Sequence, residues 1–323
     1  MEYRGYRMYL AGVDLGGTNT KIGVLDENGE IIKSTSIKTL SSNGPWQTLE
    51  RIWFAIKEML KEKKIDEADL QGIGLGIPGP VVDNSVVSSF ANFPWDNNMD
   101  IADMMEKITE KKTKVANDVN VIALGEAVYG AAKGCKISVT VALGTGIGGG
   151  IYIDGKVLSG ATGSGGEVGH MKLVKDGKLC GCGQKGCFEA YASATGLVRE
   201  ALSRLYINKN NLLYKSIGGD LEILEAKHIF DAALEGDSFS IDLVEYEAEH
   251  LAMGLGNIIS IINPEIVVLG GGVAMAGDFL LDKVREKLPK YAYSEAVKNV
   301  IIKTGELGND AGIKGAAALL LEK

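Results

Sequence analysis

Two short stretches carry side chains whose types and spacing suit chemistry. In Val115-Ala-Asn-Asp-Val-Asn120 an apolar run ends at Asn117-Asp118, and a helical pattern over residues 121–132 follows. Such a pair can be a plain helix cap, a side-chain oxygen accepting an orphan backbone N–H. The chemical alternative is a carboxylate held at a strand end, with Asp118 as a general base. The second stretch is Gly165-Gly-Glu-Val-Gly-His170, followed by Cys180-Gly-Cys-Gly-Gln-Lys-Gly-Cys-Phe-Glu189. Cys180, Cys182, Cys187 and His170 have the composition of a closed Cys3His structural zinc site. Four protein ligands leave no open position, so such an ion builds shape and does not activate water. Glu167 and Glu189 flank the set, and two carboxylates on a metal-stiffened loop suit the hydroxyls of a polyol.

Both stretches lie among glycine-rich loops. Leu15-Gly-Gly-Thr-Asn-Thr20 joins two apolar strands, and a glycine tip between paired strands lets backbone N–H groups approach an anion with no Cβ in the way. Gly16, Gly17, Thr18 and Asn19 are therefore a candidate phosphate cradle, with Lys21 as an added point charge; a merely tight hairpin would look similar. No Lys-Ser or Lys-Thr follows at the Walker A spacing. Gly144-Thr-Gly-Ile-Gly-Gly-Gly150 assigns the same cradle role to Gly144, Thr145, Gly146, Gly148 and Gly149. Its spacing mimics the dinucleotide fingerprint, but Ile151-Tyr-Ile-Asp-Gly-Lys-Val-Leu158 reads as a hairpin where that fingerprint requires a helix. Gly270-Gly-Gly272 is a third place where backbone can lie against a nucleotide, with Gly271 at its centre, although a tight strand-to-helix turn has the same composition.

The elements that must position these groups follow from hydrophobic periodicity. Residues 8–14, 21–26 and 30–39 read as strands, the last two joined at Asp26-Glu-Asn-Gly29, where Asn-Gly supplies positive φ values. Leu49, Ile52, Trp53, Ile56, Met59 and Leu60 place an amphipathic helix over residues 47–63. Residues 72–77 form a buried strand that Pro78-Gly-Pro80 breaks into a loop, and Asn92-Phe-Pro-Trp-Asp-Asn-Asn98 is a polar, aromatic loop that can either pack idly or contact a ligand, with contact slightly favoured. Residues 137–143 form a strand; helices follow over 190–205, 222–234, 241–262 and 277–288, with strands at 265–269 and 300–303 and a last helix at 311–321. Two strand, glycine loop, strand units suggest a pseudo-duplicated architecture with a nucleotide held between the halves.

At 323 residues, 46% hydrophobic and 24% charged, the chain is ordinary globular protein with more residues than one core requires. With 34 basic against 42 acidic residues the net charge is -8, which offers no general attraction to nucleic acid or anionic lipid. No apolar run is long enough to span a bilayer, and residues 1–8 lack the apolar core of a signal peptide. The expectation is a cytoplasmic protein that binds neither nucleic acid nor membrane. Three of the four cysteines crowd between 180 and 187, which suits metal better than disulfides. Cys135 stands apart and reads as a buried small apolar residue.

Asp14-Leu-Gly-Gly-Thr18, Asn117-Asp118, Gly144-Thr-Gly-Ile-Gly-Gly-Gly150, Gly166-Glu-Val-Gly-His170 and Cys180-x-Cys-Gly-x-x-Gly-Cys-x-Glu189, in this order, resemble the ROK family (repressors, ORFs, kinases) of the actin-like sugar kinase superfamily, over most of the chain. The resemblance implies an α/β fold of two ribonuclease-H-like (actin-like ATPase) domains, with ATP and a hexose in an interdomain cleft. The expected division is a small N-terminal domain of residues 1–118 plus 305–323, and a large domain of residues 119–304 with the zinc element and sugar site; the last helix returns to the first domain. It implies Asp118 as catalytic base and, as sugar contacts, Asn92, Asn117, Asp118, Glu167, His170 and Glu189, with His170 also serving the zinc. It implies ATP, Mg2+ and a structural Zn2+ as cofactors, and a homodimer or larger homo-oligomer. Kinases of unsubstituted hexoses, glucose above all, are nearest in length and motif wording, so the expected reaction is transfer from ATP to the glucose 6-hydroxyl. The family's repressors carry a helix-turn-helix ahead of the phosphate loop, and the residues before Asp14 are too few for one. Kinases of N-acetylated hexosamines share every motif, and an actin-like filament would not need the zinc element.

Overall fold

The computed structural model describes residues 8–90 and 92–322; residues 1–7, read above as lacking a signal-peptide core, lie outside them. Alternation along β1 (Tyr9–Leu15) decides the first layers. Tyr9, Ala11, Val13 and Leu15 join a core built with α1 (Pro45–Lys63) and α2 (Ile101–Thr109). Leu10 faces the other way, packing with Ile313 and Ala317 of the last helix. β2 (Asn19–Leu25) and β3 (Ile31–Lys38) extend the sheet antiparallel, while β4 (Leu70–Ile77) and β8 (Lys112–Asn117) extend it parallel, giving the order β3-β2-β1-β4-β8. Short strands β5 (Val81–Val82), β6 (Val86–Val87) and β7 (Met99–Asp100) form a separate ribbon. At the β2–β3 turn only Gly29 of the Asn-Gly pair takes positive φ, and the Asp26 carboxylate accepts the Asn28 and Glu30 N–H groups.

The second sheet repeats the same plan. β9 (Ile137–Leu143), β10 (Ile147–Ile153), β11 (Lys156–Val157), β12 (Ile266–Gly270) and β13 (Ile301–Thr304) take the order β11-β10-β9-β12-β13. In each sheet, ranked by chain position, the strands lie third, second, first, fourth, fifth, which is the duplication suggested by the two glycine loops. The helices between are α3 (Asp118–Tyr129), α4 (Glu189–Ala192), α5 (Ala194–Leu205), α6 (Leu212–Ser216), α7 (Ala226–Leu234), α8 (Ser238–Ile262), α9 (Asp278–Lys287), α10 (Ser294–Val297) and α11 (Ala311–Ala318). Residues 190–205, expected as one helix, are two, because Ser193 leaves the helical conformation and its hydroxyl caps α5 through the Gly196 N–H at 3.0 Å. Cys135, expected to be buried, is only half-buried, since it lies in the turn that links α3 to β9.

The chain divides into two compact units. One takes the chain up to Ser138, Gly150–Gly166 and everything from Glu306; the other takes Val139–Gly149 and Glu167–Gly305. Residues 119–138 and 150–166 thus sit with the first unit, not the second as the expected division had it. The physical reason is that α3 lies against α11 at contact distance: a Cβ on Gly315 would run into the Val121 carbonyl. Gly74 does the same for α11 on the sheet, where a Cβ would meet the Ala316 carbonyl. Among the described residues no helix is long and apolar enough to cross a membrane.

On α8 the buried face Leu243, Val244, Ala248, Leu251 also contains Glu247, fully buried, with neither carboxylate oxygen hydrogen-bonded. Burial pushes its carboxyl well above the usual 4.5. A carboxyl whose folded pKa is raised costs stability as pH climbs past the unfolded value, and the cost vanishes below it. Glu247→Met is therefore expected to stabilise the fold by about 1–3 kcal/mol at pH 8, with the gain shrinking as pH falls toward 4.5. Urea titrations at a series of pH values test this, and a gain independent of pH would assign it to something other than the charge.

Candidate active site

In the first unit the groups gather where β1 and β8 end. β8 runs parallel to β4 and hands over directly to α3 at Asn117 and Asp118. Asn117 is the N-cap: its Oδ1 accepts the Val119 N–H at 2.9 Å and the Asn120 N–H at 3.2 Å, and its Nδ2 donates to the Gly79 carbonyl at 3.2 Å. The plain capping role therefore belongs to Asn117, whose amide also ties down the loop after β4. Asp118, relieved of that duty, has one oxygen accepting the Val119 N–H at 2.9 Å. Burial lifts its carboxyl above the ordinary range, against the lowering effect of the backbone N–H groups and of Asn117.

Asp14, at the end of β1, joins this group although its type was not singled out beforehand. Burial raises its carboxyl too; Lys21, its cross-strand partner in β2, pulls it down, and the charge of Asp118 pushes it up again. It sits beside Gly312 in the first turn of α11, 2.8 Å from where a Cβ would stand. The Gly16-Gly17 turn follows, closed by the Gly16 N–H on the Asn19 carbonyl and by Thr39 Oγ1 on the Gly16 carbonyl at 2.6 Å. Thr18 and Asn19 are exposed. Asn92 is exposed, with its Cβ 3.6 Å from the place a Cβ on Gly17 would occupy. The aromatic members of its segment turn inward. Phe93 and Trp95 are buried, stacked at 4.7 Å, and the Trp95 indole donates to the Ser41 carbonyl at 2.8 Å.

In the second unit the glycine loop is shorter than its sequence suggests. β10 begins at Ile147, so Gly148 and Gly149 are strand residues, and Gly144, Thr145 and Gly146 make the turn. Gly271 has φ +84°, and a Cβ there would strike the Leu143 carbonyl, so the third glycine stretch packs against the end of β9. Together these turns border a cavity of about 870 Å³ whose walls include Val198, Leu224, Phe230 and Val273, with Gly144, Thr145 and Gly272 among the lining. A mostly apolar concavity of this size beside glycine turns suits a nucleotide base and ribose.

Beyond the loop lies the cysteine cluster. One ligand atom from each of His170, Cys180, Cys182 and Cys187 lies within 4.8 Å of the others. Tetrahedral zinc with bonds of ~2.3 Å to sulfur sets its ligand atoms about 3.8 Å apart. The spacings found are 3.8 Å for Cys182 to Cys187 and 3.7 Å for Cys180 to His170 Nδ1. The donor set also fits chemically: burial, then the Glu189 carboxylate 2.9 Å away, push the Cys180 thiol up to about 12, so a thiolate there calls for a cation. On the other side of the ring, His170 Nε2 is 3.9 Å from the Glu167 carboxylate. Glu189 links cluster and loop, its Oε1 3.8 Å from His170 Nδ1 and its Oε2 accepting the Ile147 N–H at 3.3 Å.

A family model described as the ROK family matches residues 10–323. The chain belongs to the ROK family. It is 38% identical over 318 residues to a glucokinase of Thermotoga maritima, covering 98% of each chain. A Streptomyces griseus ROK family glucokinase, solved in complex with glucose and AMPPNP, matches with TM-score 0.77 and 34% identity, covering 96% of this chain and 98% of that one. An N-acetyl-D-glucosamine kinase of Mannheimia succiniciproducens is 32% identical, covering 97% of this chain and all of that one. Within this ROK chain, sequence reasoning singled out the Asn117-Asp118 pair, the glycine turns and the cysteine cluster. It passed over Asp14, whose signal was an acid ending a buried strand just before Gly-Gly, and the apolar cavity walls, which come from α5, α7, Val273 and Ala276 with no shared motif.

Proposed function

We propose that this ROK family phosphotransferase moves the γ-phosphoryl group of ATP to the 6-hydroxyl of glucose. The observation that carries the reading is the Asp118 carboxylate, lifted by burial and set at a strand-to-helix junction where its neighbour does the capping. Choice of glucose among hexoses is supported by the near full-length similarity to proteins named glucokinase.

Phosphoryl transfer needs an in-line hydroxyl, neutralised γ-phosphate charge and little covalent help. In this reading Asp118 accepts the 6-hydroxyl proton as the hydroxyl oxygen attacks phosphorus and ADP leaves. Asn92, Glu167, His170 and Glu189 receive the sugar hydroxyls, with Asn117 holding Asp118 in place through the cap. The 870 Å³ cavity holds adenosine, and the turns at Gly16, Gly17, Thr18, Gly144, Thr145 and Gly146 serve its phosphates. Mg2+ entering with ATP would supply charge neutralisation, and Asp14, whose carboxyl lies close enough to Asp118 to feel its charge, would be the residue that faces it while Asp118 stays free as the base. His170, Cys180, Cys182 and Cys187 would hold a Zn2+, which would supply rigidity to the loop and activate no water, all four ligands coming from protein. The homodimer implied by the family resemblance is part of the same reading, and light scattering of the purified protein tests it.

A coupled assay of ATP consumption over glucose, mannose, fructose and the two N-acetylated hexosamines tests the substrate. Glucose is expected to give the highest kcat/KM, by on the order of tenfold or more over the N-acetylated sugars. A higher value for N-acetylglucosamine would replace glucose as the substrate; no turnover of any hexose would overturn the kinase reading.

A further inference from the structure

The cysteine loop is held from one side by its own ligand cluster, and an equally developed set of contacts grips it from the other. The strands of the loop pair at Lys172 with Cys187 and at Leu179 with Lys185. Between them Lys178 turns toward the protein. Its backbone N–H donates to the Tyr191 hydroxyl at 2.7 Å, and its Nζ donates to Glu200 Oε2 at 2.6 Å and to the Tyr246 hydroxyl at 2.7 Å. The same ammonium lies 5.1 Å from the Tyr191 ring centre and 4.9 Å from that of Tyr246. The second oxygen of Glu200 is fixed by Arg204 Nε at 2.9 Å. Both Glu200 oxygens and both tyrosine hydroxyls accept a hydrogen bond, and the Glu200 side chain is only 17% exposed, so the contacts are stronger than those of a solvated surface pair.

The elements joined are the ones that matter to the site. Tyr191 belongs to α4, which begins at Glu189. Glu200 belongs to α5, whose first residue, Ala194, donates its N–H to the Gly144 carbonyl at 3.0 Å. Tyr246 belongs to the long α8. A side chain that fastens the cysteine loop to α4 and α5 together fixes where the Glu189 carboxylate points, without touching substrate itself.

We propose that Lys178, through its ion pair with Glu200, is a positioning residue for the hexose site, setting the Glu189 carboxylate and hence sugar affinity. The inference rests on the sugar-kinase reading above. Contacts of this supporting kind are worth 10–100-fold in affinity or activity.

The test compares steady-state kinetics of the full-length protein with Lys178→Met, which keeps the apolar stem and removes the charge and its two hydrogen bonds. Glucose KM is expected to rise on the order of tenfold or more while ATP KM stays within about twofold. Glu200→Gln is expected to move glucose KM in the same direction, and the double variant to be no worse than Lys178→Met, because both remove one interaction. Lys178→Arg, which keeps a cation and donors, is expected to recover most of the loss. Glucose KM within twofold of wild type in Lys178→Met, an equal rise in both KM values, or additive effects in the double variant would each overturn the proposal. Should Lys178→Met not fold, the glucose-against-ATP split in Glu200→Gln decides by the same criteria. Wild-type protein that phosphorylates no hexose overturns both this proposal and the function it rests on, whereas an active wild type with unchanged variants overturns this proposal alone.

Discussion

Asp118→Asn is expected to lower kcat by on the order of 10² to 10⁴ while glucose binding survives. The amide keeps the shape, and the Asn117 cap on α3 is untouched, so the helix start does not move. What is lost is the acceptor for the 6-hydroxyl proton. The pH profile gives a second check with a definite sign. The base works only as a carboxylate, and burial raises the pH at which Asp118 ionises, so wild-type kcat should fall on the acid side at a pH above the ordinary carboxylate range. That limb should be missing from the residual activity of the Asn variant. Turnover within a few-fold of wild type, or an unchanged acid limb, would remove Asp118 from its role.

Loss of the zinc proposed for the cysteine cluster is expected to act on sugar before nucleotide. With the ion gone, Cys180 is left buried and protonated beside Glu189, 2.9 Å away, and donates to the carboxylate proposed to receive the sugar. Stripping the metal, or Cys182→Ser, should weaken glucose binding about 10–100-fold. The cavity proposed for adenosine is walled by α5, α7, Gly272, Val273 and Ala276, so binding of an ATP analogue should change by much less. Calorimetry with each ligand on folded, metal-free protein separates the two, with elemental analysis of the native protein alongside. Normal glucose binding by the stripped protein, or native protein without zinc, would refute this role.

Much of this was legible in the sequence because it is local. Strand, glycine turn, strand is a pattern of neighbours, and it located both sheets' first hairpins; four candidate ligands between His170 and Cys187 announce their own cluster. What failed was decided by distant contacts. Gly148 and Gly149 read as loop but pair as strand, since nothing in a glycine run shows where a ladder resumes. The 92–98 segment left packing and ligand contact both open, and its aromatic residues pack, because Ser41, far earlier in the chain, offers the carbonyl that holds Trp95 inward. Helix α2 was not among the expected elements, although Ile101, Met104, Met105 and Ile108 are helically spaced. Assignment of α3 to one unit or the other depended on its contact with α11, nearly two hundred residues on.

The placement of α11 has a consequence for biosynthesis. Its residues, 311–318, supply the cover for the face of β1 and β4 that carries Leu10 and Gly74. A ribosome making this chain therefore releases β1 to β4 long before their partner exists. Through most of translation the nascent first sheet has one face packed by α1 and α2 and the other covered only in part, by α3 against Gly76 and Ala116. Pairing of such sequence-distant segments is slow, and exposed apolar surface in the interval invites association with other chains. The small, glycine-lined character of that face limits the hazard, since it offers little apolar area until the helix arrives to fill it.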